Sequence, residues 1–311
     1  MMVTIELFAL LCAAGLGFGM GRARLCAVAA TQALVVDAET GGLRLQALTI
    51  SLMALLFGLQ LLLAGHSPPL PSGGNRADLT LLGAGLLALG FILNDGCYLG
   101  SVSFLGQGRM AYVFTLVGIF LSEWVSAPRQ LQLNGHETLI TQMSFPVLAA
   151  AAGGVAFLVW LALSRTAKAA IGPRTAGVVV ACLSAALIYQ VLPGWNYGAA
   201  IAGLARLGPF ALGLPQLAGV ALFLGAIVAN LVAGLWRFQP PTLAASLRCL
   251  SGGYIMQTGG QMIPGGSDTW LFWTVPGGGL HGVMALGAVT PILLAWFWVR
   301  RLRARKGGQN A

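Results

Sequence analysis

Cys26 and Cys97 each open a short apolar stretch directly after a polar break. The first follows Arg22-Ala23-Arg24-Leu25. The second interrupts G-F-I-L-N-D-G-C-Y-L-G-S-V-S-F-L-G-Q-G, from Gly90 to Gly108, where Asn94, Asp95 and Gly96 stand in an otherwise greasy run. A thiol at a helix start meets free N–H groups and the positive end of the helix dipole, which polarise the sulphur and suit an anion. Non-helical backbone at membrane depth persists only where protein buries it or a watery cavity meets it. The plainer alternative is that Asn94 caps the following piece and Cys97 merely packs.

A third break lies in M-I-P-G-G-S-D-T-W-L-F-W-T-V-P-G-G-G, from Met262 to Gly279. Pro264 should end the preceding helix, and Gly265 and Gly266 make a turn. Ser267 takes the place of Cys97, with Asp268 beside it. Either is a good N-cap, yet an aspartate inside a membrane is costly and is a functional candidate for that reason. Trp270 and Trp273 either line a passage or anchor the chain at an interface. Of the other cysteines, Cys12 and Cys182 sit in apolar spans and read as small hydrophobes. Cys249, next to Arg248, is a weaker third thiol. Glu123 and Trp124 end a span and read as structural, His66 and His136 fall in loops, and His281 is expected to face solvent.

The elements that position these residues follow from composition. The chain has 311 residues, 57% hydrophobic and 8% charged; a soluble domain carries about 25% charged residues. The expectation is therefore an all-α polytopic membrane bundle forming a single transmembrane domain over 1–311. Spanning a bilayer takes about 20 apolar residues. Nine segments qualify, near 4–20, 45–64, 79–95, 109–124, 146–164, 174–192, 215–236, 242–262 and 281–299. The pieces 25–36, 97–106 and 268–276 are too short and read as re-entrant half-helices.

The net charge of +9 comes from arginines at segment ends and a cluster at Arg300, Arg301, Arg303, Arg305 and Lys306. This is a topology signal, not a nucleic-acid footprint. It puts the C-terminus in the cytoplasm and, through nine spans, the N-terminus outside. The connector 193–214 is then an outer loop.

Laying the later part of the chain on the earlier part without gaps matches Gly83 to Gly253, Gly90 to Gly260, Gly96 to Gly266 and Gly108 to Gly278, all at one offset. With the topology above, the two units, roughly 1–125 and 174–300, form an inverted repeat. Inverted repeats with broken helices are transporter architecture.

The five cysteines form no C-x-x-C pair, and with three histidines there is no metal-ligand spacing. The glycines of Gly15–Gly21 miss the G-x-G-x-x-G register, and Walker, H-E-x-x-H, G-x-S-x-G and haem signatures are absent from the sequence. No cofactor, metal or ATP-driven role is indicated.

Together, the R-L-C of Arg24 to Cys26, the D-G-C of Asp95 to Cys97 and the P-G-G-S-D-T-W-L of Pro264 to Leu271 resemble the YeeE/YedE family of sulphur-transport membrane proteins. The resemblance implies thiosulfate uptake through the inner membrane. It also implies an hourglass bundle with re-entrant helices from both faces, and a narrow central path lined by cysteines. By position, Cys26 and Cys97 match. The second-repeat cysteine is missing, and Ser267 or Cys249 would stand in. The path residues expected are thus Cys26, Cys97 and Cys249, the break residues Asn94, Asp95 and Gly96, and their counterparts Gly266, Ser267 and Asp268.

The leading expectation is a permease for a small sulphur-containing anion, not an enzyme, whose S–H groups and helix N-termini contact the ion weakly in series. The alternatives are a thiol or persulfide relay that hands sulphur to a cytoplasmic sulphur-handling protein, with Cys97 as nucleophile and Asp95 nearby, and a scaffold subunit with inert cysteines.

Overall fold

A computed structural model describes residues 2–64, 76–126, 150, 152–155, 157, 172–208, 212–263 and 265–308. Among them the chain is helical, with no strand beyond one isolated bridge between Arg109 and Gln239. The helices are α1 (Met2–Ala23), α2 (Ala27–Asp37), α3 (Gly41–Ala64), α4 (Ala77–Asn94), α5 (Tyr98–Gly106), α6 (Val113–Ser126), α7 (Pro173–Val191), α8 (Tyr197–Leu207), α9 (Leu214–Val232), α10 (Leu243–Met262), α11 (Ser267–Thr269) and α12 (Leu280–Gly308). A π-helical turn, Trp270–Thr274, continues α11.

Six stretches among the described residues are long and apolar enough to cross a membrane: α1 with α2, α3, α4 with α5, α7, α9 and α12. The chain is a multi-pass, all-α membrane bundle. Two of the nine expected spans, α6 and α10, fall outside this set. The first has 14 residues, and the second carries Arg248, Gln257 and Gln261 along its length. The expected span 146–164 lies mostly outside the described residues, as do Pro264, His66 and His136. The connector 193–214, expected to be a loop, holds the helix α8. Its start is hard to read in sequence because the cap Asn196 follows a Pro-Gly-Trp turn and the helix it opens, 11 residues, is too short to span.

The order long, short, long, long, short, long in α1–α6 recurs in α7–α12. The starts of the short helices pair up, Ala27 of α2 with Tyr197 of α8 and Tyr98 of α5 with Ser267 of α11, at nearly the same offset that aligns the glycines. Positive φ recurs before each short helix. Arg24, Asp95, Gly194 and Gly265 all have positive φ, at 54°, 55°, 74° and 120°. Each lies two positions before Cys26, Cys97, Asn196 or Ser267. A left-handed residue ends a helix by turning the chain away from its axis, as at Arg24 and Asp95, whereas Gly265 lies farther out at 120° and stands directly before its cap Gly266.

Two pairs of long helices pack antiparallel through glycine. In α1 against α7, Gly15 lies at Ser184 and Gly19 at Ala181. In α4 against α10, Gly83 lies at Gly259 and Gly90 at Gly252 and Met256. A Cβ on Gly90 would come within 2.6 Å of the Met256 nitrogen. Small residues are what allow such approach where no hydrophobic effect drives helices together.

Candidate functional site

The breaks bring their caps together. Cys26 caps α2, its sulphur accepting from the Ala29 N–H at 3.5 Å. Cys97 caps α5, accepting from the Gly100 N–H at 3.4 Å. The Cys97 sulphur also accepts the Ala27 N–H, the first of α2, at 3.3 Å. Its own S–H points at the Cys26 sulphur, 3.9 Å away. Two helix N-termini therefore converge on one thiol pair, with Cys97 fully buried and Cys26 nearly so. Gly100 keeps the pair accessible to each other: a Cβ there would sit 2.5 Å from the Cys26 sulphur.

Asn94 is the strut behind Cys97. It is the last residue of α4, not the cap of α5. Its amide donates to the Gly96 carbonyl and the Ser101 hydroxyl, both at 2.9 Å, and its carbonyl accepts from Thr115 at 2.6 Å. Ser101 in turn donates to the Cys97 carbonyl at 3.0 Å. Gly96 is buried against the Phe104 and Tyr112 rings, which a Cβ would approach to 3.3 Å. Asp95 turns the other way. Its side chain is 44% exposed and lies 3.9 Å from Arg248, while its carbonyl accepts from the Tyr112 hydroxyl.

On the opposite side, Ser267 lies beside Cys97. Gly266, not Ser267 or Asp268, is the cap residue of α11, and it makes no side-chain cap. A Cβ at Gly266 would run into the Tyr98 ring. Asp268 Oδ1 and Thr269 Oγ1 are buried without a hydrogen-bond partner, and so are Trp273 Nε1 and Thr274 Oγ1, while Ser267 Oγ has no partner other than the neighbouring Cys97 thiol. The tryptophans are not interfacial anchors. Trp270 and Trp273 are 3% and 2% exposed, packed on Phe91 and Tyr189 respectively. His281, expected to face solvent, is buried with Nε2 unpartnered. Cys249 is buried beside Thr115 and Arg248. Cys12 packs in the core, and the Cys182 thiol donates to the Thr49 carbonyl at 3.7 Å.

Several members of the site do not stand out in the sequence. Asn196 caps α8, accepting the Ala199 N–H at 2.7 Å. The offset that aligns the glycines carries Cys26 onto Asn196, and that is the signal by which it could be found. Tyr197 donates to the Tyr98 carbonyl at 3.0 Å, tying α8 to α5. Tyr98 donates to Gln257 at 2.6 Å, and Gln257 donates to Glu123 at 2.6 Å. Glu123, only 3% exposed, also accepts from Gln261 and from Arg206 of α8 at 3.2 Å. A carboxylate at the end of an apolar span gives no hint in sequence of partners that lie in other, distant helices.

Two cavities flank α11, each of about 20 Å³, room for about one water. One reaches Ser267 between Ala27, Gln46, Leu99 and Trp270. The other reaches Asp268 between Met20, Tyr189, Asn196 and Tyr197. Among the described residues no group of His, Cys, Asp or Glu is placed to hold a metal ion. No protein-family model and no curated protein matches the chain.

Proposed function

We propose that this protein is a membrane permease that passes a small sulphur-containing anion such as thiosulfate through the junction of Cys26, Cys97 and Ser267. The observation that carries the reading is the convergence of two helix N-termini on two thiols 3.9 Å apart. Thiosulfate has a soft terminal sulphur and three oxygens. The thiols offer weak S–H donors to the sulphur, and the N–H groups of Ala27, Ala29 and Gly100 with the Ser267 hydroxyl suit the oxygens. None of these contacts is strong, so an ion can leave as well as bind. Cys97 has no exposed surface, so the path is closed at this point and the ion passes only when the caps part. The resemblance of R-L-C, D-G-C and P-G-G-S-D-T-W-L to the YeeE/YedE family points the same way, with Ser267 in the position of the absent third thiol.

In this reading the halves 1–125 and 174–300 are inverted repeats, supported by the antiparallel packing of α1 on α7 and of α4 on α10. The six apolar stretches, α6, α10 and 146–164 make nine spans. The basic end of α12 then faces the cytoplasm across an inner membrane, and the N-terminus lies outside.

The test is uptake of labelled thiosulfate into proteoliposomes. Cys97→Ser should lower the rate by about tenfold or more, the equivalent of about 1.4 kcal/mol; Cys12→Ser should leave it within about twofold. Unaltered uptake in a Cys26→Ser, Cys97→Ser double variant removes the thiols from the path.

The proximity of the two sulphurs also favours a second reading. A persulfide on one cysteine would have its terminal sulphur within reach of the other, as a sulphur relay requires. A persulfide trapped on Cys97 would select this reading.

A further inference from the structure

Asp268 is the charged group that the anion path leaves unexplained. It is 8% exposed, and Oδ1 has no hydrogen-bond partner. The ion pairs found among the described residues do not include it. Its titratable neighbours are Cys97 and Tyr98 on the α5 side, Tyr189 of α7 and Tyr197 of α8, none of them a cation. The lining of its cavity from α1 and α9 is Leu16, Met20 and Leu222, all apolar. α12 brings His281 beside Gly279, at the far end of the π turn, and α3 faces the opposite cavity with Gln46 and Ile50. The carboxyl is held only by the backbone N–H groups of Thr269 and Asp268 itself, and burial with no cationic partner favours taking up a proton or a metal cation. The cavity decides between them. About 20 Å³ admits a single water, whereas a cation needs about six oxygen ligands.

Resting on the permease reading, we infer that Asp268 is a proton-binding site that couples anion passage to proton entry. The carboxyl receives its proton through the water-sized cavity at the Asn196 cap of α8. It adjoins Ser267, which touches the Cys97 thiol, so protonation and ion contact are read by neighbouring residues of one short helix. With Asp268 neutral, an anion meets no opposing carboxylate beside the thiol pair. With Asp268 charged, it does, and the two negative charges repel across a dry interior.

The full-length protein in liposomes, with a pH-sensitive dye inside and the membrane potential clamped at zero by potassium and valinomycin, tests this. Labelled thiosulfate added outside should bring protons in with it. For one proton per ion, an inward gradient of about one pH unit should raise accumulation about tenfold. Asp268→Asn should accumulate no more with the gradient than without it, and Asp268→Glu should recover part of the response. The wild-type proton signal stands independently of how any variant folds. Thiosulfate uptake with no proton movement, a gradient response kept in Asp268→Asn, or accumulation driven by a sodium gradient overturns the inference and leaves anion passage standing. Absence of thiosulfate uptake by the wild type overturns both.

Discussion

At the scale of single residues, the buried polar groups divide into those that hold the site and those left open to a ligand. Asn94 has its donors and acceptor engaged within 2.9 Å, and Glu123 accepts from two glutamines and an arginine. Asp268 and Thr269 have buried side-chain atoms with no partner, and the Ser267 hydroxyl has none but the Cys97 thiol. Leaving a buried polar partner unsatisfied costs about 1–3 kcal/mol. Asn94→Ala orphans the Gly96 carbonyl and the Thr115 hydroxyl and should lose about 2–4 kcal/mol on that scale. Thermal unfolding in detergent checks it. Removing Glu123 strips Gln257 of its acceptor, Arg206 of its ion pair and Gln261 of one of two acceptors, so Glu123→Ala should cost about the same. Ser267→Ala removes a hydroxyl whose one neighbour is a thiol, a weak partner, and should leave stability within about 1 kcal/mol while slowing thiosulfate uptake. A stability loss equal to that of Asn94→Ala would make Ser267 a structural group instead.

At the scale of elements, the breaks depend on how closely the long helices pack. A Cβ at Gly252 of α10 would lie 2.6 Å from the Asn94 nitrogen and 2.8 Å from its Cα. Neither atom can move without shifting the end of α4 and the break that follows. Gly252→Ala should therefore cost about 1–3 kcal/mol or more, as overpacking does, and should impair uptake through Cys97. Gly287 of α12 has open space around its Cα, and Gly287→Ala should change stability by less than about 1 kcal/mol. Equal melting temperatures for the two variants would show that α4 and α10 are not held at this distance. The short helices lean on their neighbours in the same way: Tyr197 of α8 bonds the Tyr98 carbonyl of α5, and Arg301 of α12 donates to the Val35 carbonyl of α2 at 2.7 Å. That last bond satisfies one of the free carbonyls at the C-terminal end of α2.

At the scale of the whole molecule, the proposed inverted arrangement predicts where the ends lie. With nine spans they face opposite sides, the arginine-rich end of α12 in the cytoplasm. A cytoplasm-active reporter fused after Ala311 should be active, and one fused before Met1 silent; activity at both ends would mean an even number of crossings. The proposed arrangement also explains why the path would be narrow. Four short helices, two from each half, start near one region, and their caps are Cys26, Cys97, Asn196 and Gly266 with Ser267 following. An opening there requires rocking one half against the other, the usual motion of such repeats.

Composition and spacing suffice for the helical membrane class, for most helix positions and for the three breaks at residues 24–26, 95–97 and 265–267. These features are local. Low charge excludes a water-facing surface, and Asp95 and Gly265 are residue types that take positive φ readily; Arg24, also at positive φ, is not such a type and its break shows in sequence only as a polar interruption. The helix α8 escapes a sequence reading because its cap follows a Pro-Gly-Trp turn inside a connector with no spanning run. The pairing of the caps is not legible at all. Cys26 and Cys97 are 71 residues apart and Tyr98 and Gln257 are 159 apart. Their contact depends on glycine-lined helix surfaces meeting at one crossing, so tertiary packing alone decided that Ser267 faces Cys97 while Asp95 and Cys249 lie with Arg248.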